Sequence, residues 1–260
     1  MFAKLLKYDL KSMLKVMLPL WITVIILGGF LGLALSSEHF DGMFVSMLFS
    51  SGAIYPMEFL ILVLFGVFVA MFVMNIIIVI RRFWDGLLKD EGYLMFTLPV
   101  SVRKLIFSKF VSALIVTLLS MIAGYGVIAM ILLFSVQGHV MDLFYEVGEA
   151  FSFAGGEERV FMILMIVNIA LAVMTMIYRV YAAMALGHLS NNNKFLFSFL
   201  AFIGLNIVIS VISTPIMAFV LTKVTNASVA TLISIVQDLI MIVIFHTIVE
   251  IVLSTRLNLE

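Results

Sequence analysis

The sequence predicts an all-α membrane protein with six transmembrane helices, and three observations carry that prediction. Hydrophobic residues make up 64% of the 260 positions and charged ones 12%, against about 45–50% and 25% in a soluble domain. Six stretches are long and almost free of charge. Lys and Arg gather in every second connection between them. A soluble chain of this length has no core large enough for so much apolar surface, so lipid must solvate much of it. Barrel strands would alternate apolar and polar residues over about ten positions, and these runs do not alternate. Formal net charge is zero, which gives no pull toward nucleic acid. Cysteine is absent, which excludes disulfides, thiol catalysis and cysteine-ligated metals.

The elements follow in order. Lys4, Lys7, Lys11 and Lys15 share one narrow arc at about 100° per residue, with Phe2, Leu6, Leu10 and Met13 opposite. Residues 1–15 therefore read as an amphipathic helix lying on the cytoplasmic leaflet. Each Lys there contributes about 1 kcal/mol against an anionic surface. The start is not read as a signal peptide, because the apolar run is long and Ala34-Leu35-Ser36 is a poor cleavage site. At about 20 apolar residues per crossing, the spans are expected near 16–35, 59–80, 110–134, 160–178, 195–214 and 239–255, with Glu58 opening the second.

Orientation comes from the basic residues. The N-terminal arm, the 81–109 connection (Arg81, Arg82, Lys89, Arg103, Lys104, Lys109), the connection with Arg179 and Lys194, and the tail with Arg256 are basic. The opposite side holds only Arg159 and Lys223 and gathers Glu38, Asp41, Asp142, Glu146, Glu149, Glu157 and Glu158. Both termini are thus expected in the cytoplasm, in a multi-pass protein of the cell membrane.

The 81–109 segment, RRFWDGLLKDEGYLMFTLPVSVRKLIFSK, is cytosolic in this reading yet rich in large apolar residues. Phe83, Trp84, Leu87 and Leu88 have helical spacing, Gly92 permits a turn, Pro99 stops what precedes it, and Ser101 is placed to cap the next helix. Aromatics bounded by charges mark either a docking surface or a helix packed on the protein's own membrane face. Candidate docking residues are Phe83, Trp84, Leu87, Leu88, Glu91, Tyr93, Met95 and Phe96.

Four stretches together resemble the membrane subunits of second-class ATP-binding-cassette exporters, the ABC-2 permeases, in particular the small stand-alone permeases of Gram-positive bacteria. They are FAKLLKYDLKS (2–12), DEGYLMFTLPVS (90–101), ALGHLSNNNK (185–194) and LNLE (257–260). The resemblance implies an N-terminal interfacial helix, and a coupling helix between spans two and three that docks on a separate cytosolic ATPase. It also implies a pathway formed with a second permease copy or a homologous permease, and short re-entrant helices between spans five and six. ATP and magnesium would be bound by the partner. This chain has no G-x-x-x-x-G-K-[ST] loop and no GxSxG elbow, so it is not expected to be an enzyme.

Residues 215–238 admit two readings. Pro215 ends span five and a short hairpin dips into the outer leaflet, or one long fifth helix kinks at Pro215 and the sixth starts near Val229 and contains Asp238. Ionisable groups inside spans are functional candidates, which singles out Arg179, Asp238, His246 and Glu250 as pathway or intramembrane polar residues. His246 and Glu250 share a helix face, but their order is not HExxH and no third ligand is evident. A polar contact of this pair with Arg179 is the expected role. Asn75, Asn168 and Asn206 are placed to bond between helices, and Gly28/Gly32 and Ala183/Gly187 to allow close helix approach. The outer connection 135–159 carries Val140, Leu143, Phe144, Val147 and Phe151 at helical spacing, fitting an interfacial lid or a solvated linker.

Three functions compete at this level. The first is a permease subunit of an ATP-driven exporter whose cargo is an antimicrobial peptide, drug or lipid-like amphiphile. The second is a secondary transporter or channel without an ATPase, which calls for unwound half-helices with paired charges near mid-bilayer. The third is a membrane scaffold or sensor that transports nothing.

Overall fold

The computed structural model describes residues 2–36, 56–89, 92, 97, 100–135, 145, 148–149, 155–190, 193–224 and 226–255. Helices account for nearly all of them: α1 (Phe2–Ser36), α2 (Pro56–Phe83), α3 (Val102–Ser135), α4 (Gly156–His188), α5 (Lys194–Lys223) and α6 (Ala227–Thr255), with no strand among the described residues. A single π-helical turn, Trp84–Leu88, prolongs α2. All six helices are long and apolar enough to cross a bilayer. Their outward faces are those of a protein solvated by lipid: Phe195, Ile166 and Val211 are 70%, 69% and 68% exposed. In water such surface would cost about 25 cal/mol per Å². This is a multi-pass membrane protein.

The helices run well beyond the expected apolar cores. No break separates the amphipathic stretch 1–15 from span one, and α1 continues through Pro19. A proline inside a helix forfeits one backbone bond, a loss that neighbouring groups can absorb in lipid. The four lysines at 4, 7, 11 and 15 are exposed, as the pattern demands, and Met13 and Met17 are buried. For residues 215–238 the chain takes the long-helix alternative. α5 passes through Pro215 to Lys223, and α6 begins at Ala227 with Asp238 inside it, so no hairpin spans 216–237 among the described residues.

Two compact units emerge. The first comprises Met1–Leu10, Ile78–Leu114 and Ala154–Glu260. Its backbone is α4, which packs along both α5 and α6, while α5 and α6 scarcely meet. α4 and α5 press together at Gly187, where any side chain would strike the backbone of Ser198. Asn193 in the left-handed region sets the turn into α5 (φ 47°), a conformation asparagine tolerates well. Asn168 Nδ2 on α4 donates to Ser234 Oγ on α6 at 3.0 Å.

The second unit, Lys11–Ile77 and Ile115–Phe153, joins the inner stretches of α1, α2 and α3. Ser120 Oγ on α3 accepts from Trp21 Nε1 of α1 at 3.0 Å and from Asn75 Nδ2 of α2 at 2.9 Å, and donates to the Val116 carbonyl. Thr117 Oγ1 donates to Asn75 Oδ1 at 3.1 Å. One hydroxyl thus ties three apolar helices where no water competes. Gly28 admits Val127 so closely that a β-carbon there would overlap it. The small-residue spacing of α1 therefore works inside the chain.

Candidate functional site

In the first unit the ends of α1, α2 and α3 carry the basic residues, and a buried carboxylate organises them. Asp9 sits among the lysines of α1 but on the apolar side, and its side chain is 2% exposed. Lys109 Nζ, also 2% exposed, donates to Asp9 Oδ1 at 2.9 Å. Arg82 Nε donates to the same oxygen at 2.7 Å, and Arg82 Nη2 forms a second bond to it. Asp9 Oδ2 is buried and has no hydrogen-bond partner. The arrangement joins α1, the end of α2 and the start of α3 through one atom. Desolvating such charges costs several kcal/mol per ion, so an intact pair adds little stability, whereas a broken one costs about 3–5 kcal/mol.

The π-helical turn is packed on this cluster. Phe83, fully buried, stacks on Tyr181 of α4 with centroids 4.1 Å apart. Tyr181 in turn donates its hydroxyl to the Lys109 carbonyl at 3.2 Å. Gly86 lies against the Lys109 ammonium: a β-carbon there would stand 2.7 Å from Nζ. Leu87 and Leu88 are buried, and the Leu88 carbonyl lies 3.1 Å from His188 Nε2 at the end of α4. Trp84, half-buried, meets His188 and Phe195 edge-on at 6.2 and 6.3 Å. Gly92 closes the turn, its N–H on the Lys89 carbonyl at 2.7 Å, and a β-carbon there would stand 2.6 Å from the Leu87 carbonyl oxygen. Asp85 bridges Arg81 at 3.2 Å and Lys89 at 3.0 Å on the outer face.

These positions correct the expectation of an apolar docking face. Phe83, Leu87 and Leu88 are inside the protein, filling the space beside α4, and cannot touch a partner. Burial of aromatic and leucine side chains is worth about 1.5–3 kcal/mol each, and α4 supplies the nearest apolar surface. Trp84 alone of that group keeps an open side. Glu91, Tyr93, Met95 and Phe96 lie outside the described residues.

The intramembrane candidates separate into two places. Glu250 pairs with Arg103 of α3 and lies 4.0 Å from His246 Nε2. His246 stands edge-on to Tyr178 at 5.4 Å, and Tyr178 stacks on Phe110 at 4.2 Å. The expected contact of this pair with Arg179 is not formed; Glu250 meets Arg103 instead. Arg179 Nη1 instead donates to Asn206 Oδ1 at 2.9 Å, with the guanidinium 5.9 Å from the Phe245 centroid. Asp238 accepts from Thr175 Oγ1 at 3.2 Å.

Asp9, Tyr181 and Lys109 are the residues sequence reading passed over. A lone acidic residue on the apolar side of a lysine-rich helix was the available signal for Asp9. Nothing in the sequence could pair it with residues some 73 and 100 positions away. No protein-family model matches this chain, and no curated protein or solved structure matches it either.

Proposed function

We propose that the chain is the transmembrane permease subunit of an ATP-binding-cassette exporter, working with a separate cytosolic ATPase and a second permease, identical or homologous. The supporting observation is the way the segment after α2 is anchored. Phe83 on Tyr181, Leu88 on His188 and Gly86 on Lys109 clamp the π-helical turn to α3 and α4, and Arg82 links it to α1 through Asp9. A force applied to the 89–101 connection would be delivered to four helices at once, as a coupling element requires. π-helical turns recur at functional sites.

In this reading the buried residues are the anchor, and Glu91, Tyr93, Met95 and Phe96, with the open side of Trp84, are the docking contacts. Arg81 and Lys89, exposed beside Asp85, form a charged rim that sets orientation more than affinity. Both chain ends and the 81–109 segment then face the cytoplasm, the protein sits in the cell membrane, and the first turns of α1 lie at the interface. The cargo class is an amphiphile, in keeping with aliphatic, weakly charged helices.

The two sets of residues separate under mutation. Phe96→Asp should give a protein that inserts and melts like wild type but no longer co-purifies with its ATPase. Leu87→Asp should lower the melting temperature itself, because its side chain is fully buried. A Phe96→Asp protein that keeps its ATPase at full occupancy would remove the docking role from this segment.

A further inference from the structure

On α4, Met165, Ile169, Ala172, Met176 and Arg179 recur at helical spacing within one arc. The first four are exposed, with Met165 and Met176 at 40% and Ile169 at 43%. Ala183, next on the same stripe, is fully buried. α5 holds α4 at Arg179, through Asn206, and at Gly187, through Ser198. α6 runs along the other side through the Asn168–Ser234 and Thr175–Asp238 bonds and Phe245. Because α5 and α6 scarcely meet, the stripe stays open between them and closes at Arg179. There the guanidinium has one donor on Asn206 and its face toward Phe245, and its Nε is buried without an acceptor. An apolar trough thus ends in a cation with an unmet hydrogen-bond donor.

We propose that this trough binds a monoanionic phospholipid, its phosphate at Arg179 and an acyl chain along Met176, Ala172 and Ile169. An arginine fork suits a phosphate, because charge-assisted bonds to it are short and strong. Depth agrees. At about 1.5 Å per residue, Arg179 lies about 13 Å before the α4 end at His188. A helix of 33 residues overhangs a hydrocarbon core of about 30 Å by about 10 Å at each end when centred. The guanidinium then stands just inside the headgroup boundary of the leaflet at the His188 end, and the open stripe leads from it toward the bilayer centre, as the chains of that lipid do.

Asp238 sets the charge the site accepts. Its carboxylate is held by Thr175 on the α6 side, close enough to Arg179 for the two charges to act on each other. Its negative charge opposes any other brought to Arg179, so a head bearing one is accepted better than a head bearing two. Removing the Asp238 charge should therefore tighten binding, an effect that simple loss of structure would not produce. The site needs only helices in a bilayer and holds whether or not the chain serves an ATPase.

The test is native mass spectrometry of the purified, delipidated chain titrated with phosphatidylglycerol, with phosphatidylcholine of the same acyl chains, and with inorganic phosphate. Phosphatidylglycerol should bind about tenfold more tightly than phosphatidylcholine, because the choline cation offsets the phosphate charge that Arg179 attracts. Arg179→Gln should abolish that ratio, Arg179→Lys should keep part of it, and Asp238→Asn should raise phosphatidylglycerol affinity. Inorganic phosphate at equal concentration should not displace the lipid. Equal binding of the two lipids, an unchanged ratio in Arg179→Gln, weaker binding in Asp238→Asn, or displacement by phosphate alone would each overturn the proposal. No ATPase enters the experiment, so its failure leaves the exporter reading untouched, and the reverse.

Discussion

Asp9 shows how one residue can matter through what it prevents. Its carboxylate oxygen takes donors from Arg82 and Lys109, the second as buried as itself. Asp9→Ala removes the carboxylate on which Arg82 and Lys109 converge, and the loss should approach about 3–5 kcal/mol. Lys109→Met should cost less, because Asp9 keeps Arg82, whose side chain is 21% exposed and can draw on solvent. Arg82→Gln should cost least, since the buried pair survives. Thermal unfolding of the three variants in one detergent reads the order directly. Equal losses in all three would mean that the cluster acts through packing and not through charge.

At the scale of the element, glycines report where helices are pressed together and where they merely face lipid. Gly187 meets the backbone of Ser198, which cannot move aside, whereas a β-carbon at Gly66 would touch nothing within 4 Å. Gly187→Ala should therefore force α4 and α5 apart and lower the melting temperature by many degrees. Gly66→Ala should stabilise by about 0.5–1 kcal/mol through the helix propensity of alanine. A melting curve for each decides the matter, and a neutral Gly187→Ala would contradict the close approach. The π-helical turn belongs to the same scale. Its side chains reach α4 because the wider turn continues α2 without a loop, so the connection to α3 starts from a fixed point at Leu88.

For the whole molecule the prediction concerns which side of the membrane each connection occupies. By the alternation of basic connections, both termini and the 81–109 segment are expected inside the cell. The cysteine-free chain allows a clean test: single cysteines at Ser37, Asp90, Ser152, Asn192 and Ser228, labelled in intact cells with an impermeant thiol reagent. Label should reach Ser37, Ser152 and Ser228 and spare Asp90 and Asn192. The reverse pattern would put the π-helical turn outside, and no cytosolic ATPase could reach it.

The sequence alone determined the class, the six long apolar helices seen among the described residues and the alternation of charge, because lipid imposes length and composition on any helix that crosses it. It also foresaw that Asn75, Asn168 and Asn206 bond between helices, since an amide in an apolar segment has few other partners. Partner choice was out of its reach. That Asp9 meets Lys109, that Arg103 and not Arg179 takes Glu250, and that Leu87 faces inward depend on which helix faces which. Helical periodicity says which residues share a face and is silent on what that face meets. A stripe such as Phe83–Leu88 reads identically whether a partner or the chain itself buries it, and only the tertiary structure, by setting α4 against it, decided for the latter.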